Sequence, residues 1–300
     1  MDLRRLEHFL AVADHQGFTA AARAVSVSQP ALSLAVKELE TELGTVLFHR
    51  LGRRVVVTPA GAALIGPARQ ALRDVETGRA AVAAVTGLEA GSLAIASLPT
   101  LAADPLAGLV GRFRRDHPAV TVDLAAPEDS AGVVARVRDG RRELGLTDSD
   151  RLPEGLVAHP LGEQALVLVL PPGMAPPSLR TSAGRKARVD MATLADLPFV
   201  AAPPGTSTRR LLDEGLGGES GSGPRVAVVT AQRDAIVPLV LAGAGAALVP
   251  EATAQVAELH GATVVRPDPP VTRSIVLIHL AGPLAPAARR FVELANNLNG

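Results

Sequence analysis

The sequence predicts a mixed α/β chain in three parts: a small helical unit closed by a hairpin, a long alanine-rich helix, and a larger region of alternating strands and helices. Three observations lead there. Residues 3–43 carry apolar positions at helical spacing, broken twice by short polar turns. Residues 62–86 are alanine-rich, with only Gly66, Pro67 and Gly78 as breakers. From Gly91 onward short apolar runs alternate with amphipathic segments, the pattern of sheets flanked by helices.

The elements follow in order. Leu3, Leu6, Phe9, Leu10 and Val12-Ala13 make a first amphipathic helix, and Thr19 to Ala24 a short second one. The third opens on Ser28-Gln29-Pro30. Ser28 is suited to cap it, since its hydroxyl can accept from an orphan backbone N–H, and Pro30 falls in the first turn, where its missing N–H costs nothing. Leu32, Val36, Leu39 and Leu43 share one face for a core. Gln29, Ser33 and Lys37 repeat on another flank, beside Pro30 and Leu34. Three helices with a tight turn before the third form a helix-turn-helix plan. "VLFHRLGRRVVVTPAG" (46–61) then reads as a hairpin, a wing whose tip is basic through Arg50, Arg53 and Arg54. A polar helix flank alone is usually a solvated face. The capped start, the outward amide and the arginine-tipped hairpin together point to a nucleic-acid surface.

These residues carry a resemblance. The order of Phe9, Phe18-Thr19-Ala20-Ala21, Ser28-Gln29-Pro30-Ala31-Leu32-Ser33, Leu39-Glu40, Leu43-Gly44, Leu47-Phe48 and Thr58-Pro59-Ala60-Gly61 is similar to the N-terminal domain of LysR-type transcriptional regulators. Matches continue over nearly the whole chain. The resemblance implies a winged helix-turn-helix DNA-binding domain over 1–61 and a linker helix serving dimerisation over 62–88. It also implies a two-lobed, periplasmic-binding-protein-like effector domain over 91–300. Lobe I is placed at 91–160 and 268–300, and lobe II at 161–267, with crossings near Pro160 and Pro267. DNA contacts are expected from Thr19, Ser28, Gln29, Pro30, Ser33, Leu34, Lys37, Arg50, Arg53 and Arg54. One position departs: Leu34 stands where many members carry a polar or basic residue.

Composition sets bounds. Three hundred residues suggest about two domains. All six aromatic residues are Phe, so the cores must be Leu, Val and Ala. Net charge is zero, and 28 of the 30 basic residues are arginine, so abundance of arginine says little and its placement must carry the argument. Residues 1–60 hold seven basic and six acidic groups, with Glu38, Glu40 and Glu42 at the far end of the third helix. Cysteine is absent, which excludes disulfides, Cys-based zinc sites and thiol switches. A charged, amphipathic start is unlike a signal peptide, and no apolar run is long enough to span a bilayer. A cytoplasmic protein with no membrane partner is expected.

In the alanine-rich segment Leu64, Ala68, Leu72, Val75 and Val82 form a stripe suited to pairing with a second copy. Beyond it, strands are expected at 91–97, 119–124, 143–148, 165–171 and 274–280, among others, with helices at 104–118, 130–139 and 286–298 between them.

No catalytic constellation emerges. The histidines are scattered without H-x-x-x-H spacing, no nucleophile elbow or phosphate loop is present, and Gly243-Ala244-Gly245 lacks the rest of a dinucleotide motif. Neither an enzyme nor a metal or other cofactor is expected. "ASLPT" (96–100) and "PPGTSTRR" (203–210) bring hydroxyls and free N–H groups to strand ends, where open α/β sheets bind ligands. With the resemblance behind them, the expected effector contacts are Ser97, Leu98, Pro99, Thr100, Leu146, Thr147, Gly205, Thr206, Ser207, Thr208 and Ala246. A compact, partly apolar acid is the expected effector. The implied partners are double-stranded DNA bearing an inverted repeat, the effector, further copies of the chain as a homodimer or homotetramer, and RNA polymerase. The alternatives are a solute-binding protein, which calls for a signal peptide and no residues 1–61, and an enzyme, which calls for a nucleophile or acid/base pair.

Overall fold

A computed structural model describes residues 1–51, 54–85, 91–148, 152–174, 188–217 and 223–297. The N-terminal unit packs α1 (Leu3–His15), α2 (Phe18–Ala24) and α3 (Gln29–Leu43) around Phe9, Leu32, Val36, Leu39 and Leu47. Ser28 caps α3 as expected, accepting from Ala31 N at 3.3 Å, and Gly44 ends it in the left-handed region (φ 67°). Leu43, expected on the buried face, is 40% exposed because the last turn overshoots the core. The wing pairs β1 (Phe48–Leu51) antiparallel with β2 (Arg54–Val57). Each acid late in α3 has a structural task. Glu38 and Glu42 pair with Arg5 of α1 at 3.1 and 3.2 Å, while Glu40 accepts from the backbone of Leu47 and Phe48 and so ties the wing to the helix.

The long helix α4 (Pro59–Val85) runs through Pro67. Ala68 is buried, and Leu64 and Leu72 are half-buried, against the core of the winged unit. The first half of the expected pairing stripe is therefore covered by the chain's own N-terminal domain, because α1 lies beside it. From α4, Arg69 and Arg73 donate to the backbone oxygens of Asp139 and Gly140 in the next domain.

That domain begins with β3 (Gly91–Ser97), followed by α5 (Pro99–Leu101), an irregular turn over Ala102–Leu106 and α6 (Ala107–Asp116). The helix expected to start at 104 starts instead at Pro99 and is interrupted at Asp104 (φ −152°, ψ 119°), since a residue before proline is driven out of the helical region. Then come β4 (Val120–Ala125), α7 (Ser130–Arg138), β5 (Leu144–Thr147) and β6 (Leu156–Leu170). Next are β7 (Arg188–Val189), β8 (Phe199–Ala201), α8 (Ser207–Leu216), β9 (Val226–Val229), α9 (Ile236–Leu241) and β10 (Ala247–Pro250). The chain closes with α10 (Glu251–Leu259), β11 (Thr263–Pro267), β12 (Val271–Leu280) and α11 (Pro286–Asn297). Helix α10 and strand β11 were not anticipated, and β12 starts three residues before the expected Ser274.

Among the described residues eight strands join in one sheet, ordered β4-β3-β5-β12-β6-β11-β7, with β10 also on β6. The β3–β4 and β3–β5 pairs are parallel, while β12 runs antiparallel to both β5 and β6. Two sets of cores flank this sheet. One gathers Leu93, Ile95, Phe113, Leu144 and Phe291, and the other Leu168, Phe199, Leu212 and Leu248. They part between Leu161 and Leu166 on β6 and between Val271 and Ile275 on β12, so the lobes meet on one continuous two-strand ladder.

In lobe I this ladder carries a histidine pair. His279 donates from Nδ1 to Leu280 O at 2.7 Å, leaving its Nε2 to accept from His159 Nε2 at 3.1 Å. His159 Nδ1 in turn accepts from Asn296 Nδ2 at 3.2 Å. This set of bonds uses two neutral rings. Burial, and then the neighbouring His279, holds the pKa of His159 below its ordinary 6.5. A depressed histidine pKa favours the folded state fully above 6.5 and loses that contribution as pH falls through the folded value. Thermal stability should therefore decline below about pH 6.5, and His159→Gln should flatten part of the decline. His8, lowered by burial in the winged unit, adds its own share, so the variant isolates one source. Identical midpoint-versus-pH curves for variant and wild type would remove the pair from this role.

Candidate functional site

Two surfaces gather part of the expected residues. On the first, α3 turns Gln29, Pro30, Leu34 and Lys37 outward, with Ser33 half-buried between them and Ser28 exposed at the cap. Thr19 is exposed in the first turn of α2. The Gln29 amide donates to Ser33 Oγ at 2.9 Å, so the flank is ordered from within. Leu34 is 59% exposed while Leu32 and Val36, on the opposite face, are buried. Arg50 and Arg54 stand on the wing strands, and Arg53 lies outside the described residues.

The second is the cleft between the lobes. A cavity of about 310 Å³ opens there, within the usual range of small-molecule sites. Pro99, Thr100 and Ala103 line it from lobe I; Val200, Ala201, Thr208, Leu212, Ile236, Leu248 and Thr253 line it from lobe II. Its walls are mostly apolar, with Arg209, Arg233 and Asp234 among the polar lining groups.

Beside the cavity lies a buried polar network centred on Arg273 of β12, which is 4% exposed. Its Nε donates to Gln164 Oε1 at 3.0 Å, its Nη1 to Ser207 Oγ at 3.1 Å and its Nη2 to Thr100 Oγ1 at 2.6 Å. Gln164 of β6 donates onward to the backbone oxygen of Asp104 at 2.7 Å, which the break before Pro105 leaves available. Asp148, just past β5, accepts from Ser130 Oγ at 2.5 Å and from Ser207 Oγ. Burial pushes Arg273 down to about 10, opposed by the attraction of Asp148. The arginines around the cleft have acidic partners: Arg233 meets Glu128 at 3.2 Å, Arg209 meets Asp213 at 2.8 Å, and Arg210 meets Glu214 at 3.1 Å.

Of the expected effector contacts, Pro99, Thr100 and Thr208 reach the cavity, and Ser207 joins the network beside it. Thr206 donates to Pro203 O at 2.8 Å, and Gly205 (φ 85°) turns the chain into α8. Ser97 donates to Leu98 O at 3.0 Å, while Leu98 and Leu146 belong to the lobe I core and Ala246 to that of lobe II. Thr147 is fully buried and its hydroxyl has no hydrogen-bond partner among the described residues. Sequence reasoning missed Arg273, Gln164, Asp104, Ser130 and Asp148. A charged residue within an apolar strand is a signal for Arg273; the others become neighbours only through the fold.

The chain matches known proteins in two regions, one holding each surface. Residues 3–62 match the bacterial regulatory helix-turn-helix protein family of lysR type, and residues 86–299 match the LysR substrate binding domain. The chain is 31% identical over 251 residues to the HTH-type transcriptional activator IlvY of Salmonella typhimurium, covering 84% of this chain and 83% of that one. It is 30% identical to the transcriptional regulator TfdS of Cupriavidus pinatubonensis, over 100% and 99% of the two chains. Among solved structures, full-length CbnR in complex with its target DNA aligns over 99% of each chain at 26% identity and a TM-score of 0.63. ArgP of Mycobacterium tuberculosis aligns over 100% of this chain and 98% of its own, at 20% identity and a TM-score of 0.75. With a winged helix-turn-helix at one end and an effector-binding domain at the other, the chain belongs to the LysR family of transcriptional regulators, DNA-binding proteins that are not enzymes.

Proposed function

We propose that this regulator binds an inverted-repeat operator as a homodimer or homotetramer, with α3 in the major groove. A small effector in the cleft sets the spacing of the winged domains. The observation that carries the DNA half is the outward flank of Gln29, Leu34 and Lys37 on a helix whose other face is buried. Gln29, at the helix front, is suited to pair with adenine once its amide leaves Ser33. Leu34 is suited to a thymine methyl. Thr19, Ser28, Pro30, Ser33 and Lys37 follow the backbone and adjacent bases, and Arg50, Arg53 and Arg54 carry the wing along the phosphates. The contact with a second copy is supplied by α4 around Val82, which stands at 67% exposure. In the cytoplasm, the assembled regulator meets RNA polymerase at the promoter.

The effector is a compact, mostly apolar molecule, since that is what the cavity walls favour. Its site draws on Thr100 and Thr208, which line the cavity from the two lobes.

Gln29→Ala should cost roughly 1–3 kcal/mol of discrimination at one base pair per half-site. Arg53→Ala should weaken all sequences alike and lower the salt dependence by about one phosphate contact. Binding selections on randomised half-sites at fixed salt separate the two. A Gln29→Ala profile superimposable on the wild type would take base reading away from this residue.

A further inference from the structure

The acid expected in the cleft is already there, supplied by the chain. Asp148 follows β5 in lobe I and is 6% exposed. One carboxylate oxygen accepts from Ser130, the first residue of α7 in lobe I; the other accepts from Ser207, the first residue of α8 in lobe II. Arg210 of α8 stands 3.6 Å from that second oxygen. Asp129 caps α7 itself, accepting from Gly132 N at 2.7 Å. The cap residue of α8 does not: Thr206 makes no capping bond and spends its hydroxyl on Pro203 O. The first turn of α8 is thus short of an acceptor from its own lobe, and the nearby negative charge comes from the opposite lobe. Ser207 also accepts from Arg273 at 3.1 Å, and this orients its own proton toward Asp148.

We propose that Asp148 is a tethered ligand: its carboxylate occupies the anion position between the lobes and holds them together without an outside acid. The proposal rests on the reading of the cleft as the effector site and deepens it. The cleft divides into a polar floor filled by the protein and an apolar chamber left for the effector. Asp148 then sets specificity, because a short free carboxylate finds its hydroxyl partners taken. An effector acts through the chamber, or by displacing Asp148 from Ser207.

The test is chemical rescue in the full-length chain, using wild type, Asp148→Gly and Asp148→Asn. Sodium formate is titrated against sodium chloride at equal ionic strength. The readouts are thermal midpoint and radius of gyration. Asp148→Gly should lose about 5 °C or more of midpoint and expand, and formate should restore both saturably. Wild type should not respond, and neither should Asp148→Asn, whose amide fills the space. An Asp148→Gly chain as compact and stable as wild type, or equal formate effects in all three, would overturn the proposal. If Asp148→Gly does not fold, Ser207→Ala decides. That variant should expand without rescue by formate, and an unchanged radius overturns the proposal. The chamber is probed separately with toluene, which should stabilise wild type but not Ala103→Trp. Formate rescue without a toluene effect supports the tethered ligand and removes the chamber. A toluene effect without formate rescue overturns the tethered ligand and leaves the chamber.

Discussion

Arg273→Leu is expected to destabilise the effector domain by about 3–5 kcal/mol, the range for removing one partner from a buried charged network. The loss has named parts. Gln164 Oε1 and the hydroxyls of Thr100 and Ser207 lose their donor, and Asp148 loses the cation behind Ser207. Each buried acceptor left unmade costs on the order of 1–3 kcal/mol, with partial relaxation reducing the sum. For a domain of this size the thermal midpoint should fall on the order of 10 °C. Operator binding by the winged domain should survive at low temperature, because Arg273 does not contact that core. A midpoint within about 2 °C of the wild type would mean that the network contributes nothing net.

The second large effect concerns communication between domains. Arg69, 7% exposed, pairs with Asp14 of α1 and donates to Asp139 O at 3.1 Å, while Arg73 donates to Gly140 O at 2.6 Å. The winged unit, the linker helix and the C-terminal end of α7 thus meet at two guanidinium groups, at the end of α7 that carries the helix's partial negative charge. The N-terminal end of the same helix holds Ser130, the partner of Asp148. Helix α7 therefore spans the distance from the cleft to the linker. Arg69→Met should keep intrinsic operator affinity while reducing coupling between effector and DNA, a quantity of about 1–3 kcal/mol in such systems. Hydrogen exchange should rise at the last turns of α1 and at 139–142 and stay unchanged in α3. Unaltered exchange at both places would show that the junction is not held by this residue.

The three N-terminal helices were legible because helix period, an N-cap and a proline in the first turn are local signals. Strands β3 and β5 were legible as short apolar runs between breakers. Strand β6 is legible only in its second half, because in its first half only Leu161 is buried, between Pro160 and Gly162. The stripe on α4 was read correctly as apolar, but periodicity cannot name the neighbour, and α1 of the same chain covers Ala68. At the cleft, Thr100 and Thr208 were found by the rule that ligands gather at strand ends. Arg273 escapes because the apolar run begins at Ser274, and Asp148 because a polar residue closing an expected strand looks like the start of any turn. Gln164 and Asp104 lie sixty residues apart and meet only through the fold.

Strands β6 and β12 join the two lobes as one antiparallel ladder. The lobes are not beads on a flexible tether but regions of a single hydrogen-bonded ribbon, offset once between Ser274 and Val276. Moving one lobe against the other must twist or bend this ribbon, so the motion has few degrees of freedom and little disorder to lose on closing. The same sharing makes the two lobes one cooperative unit, since melting either strips a strand edge from the other.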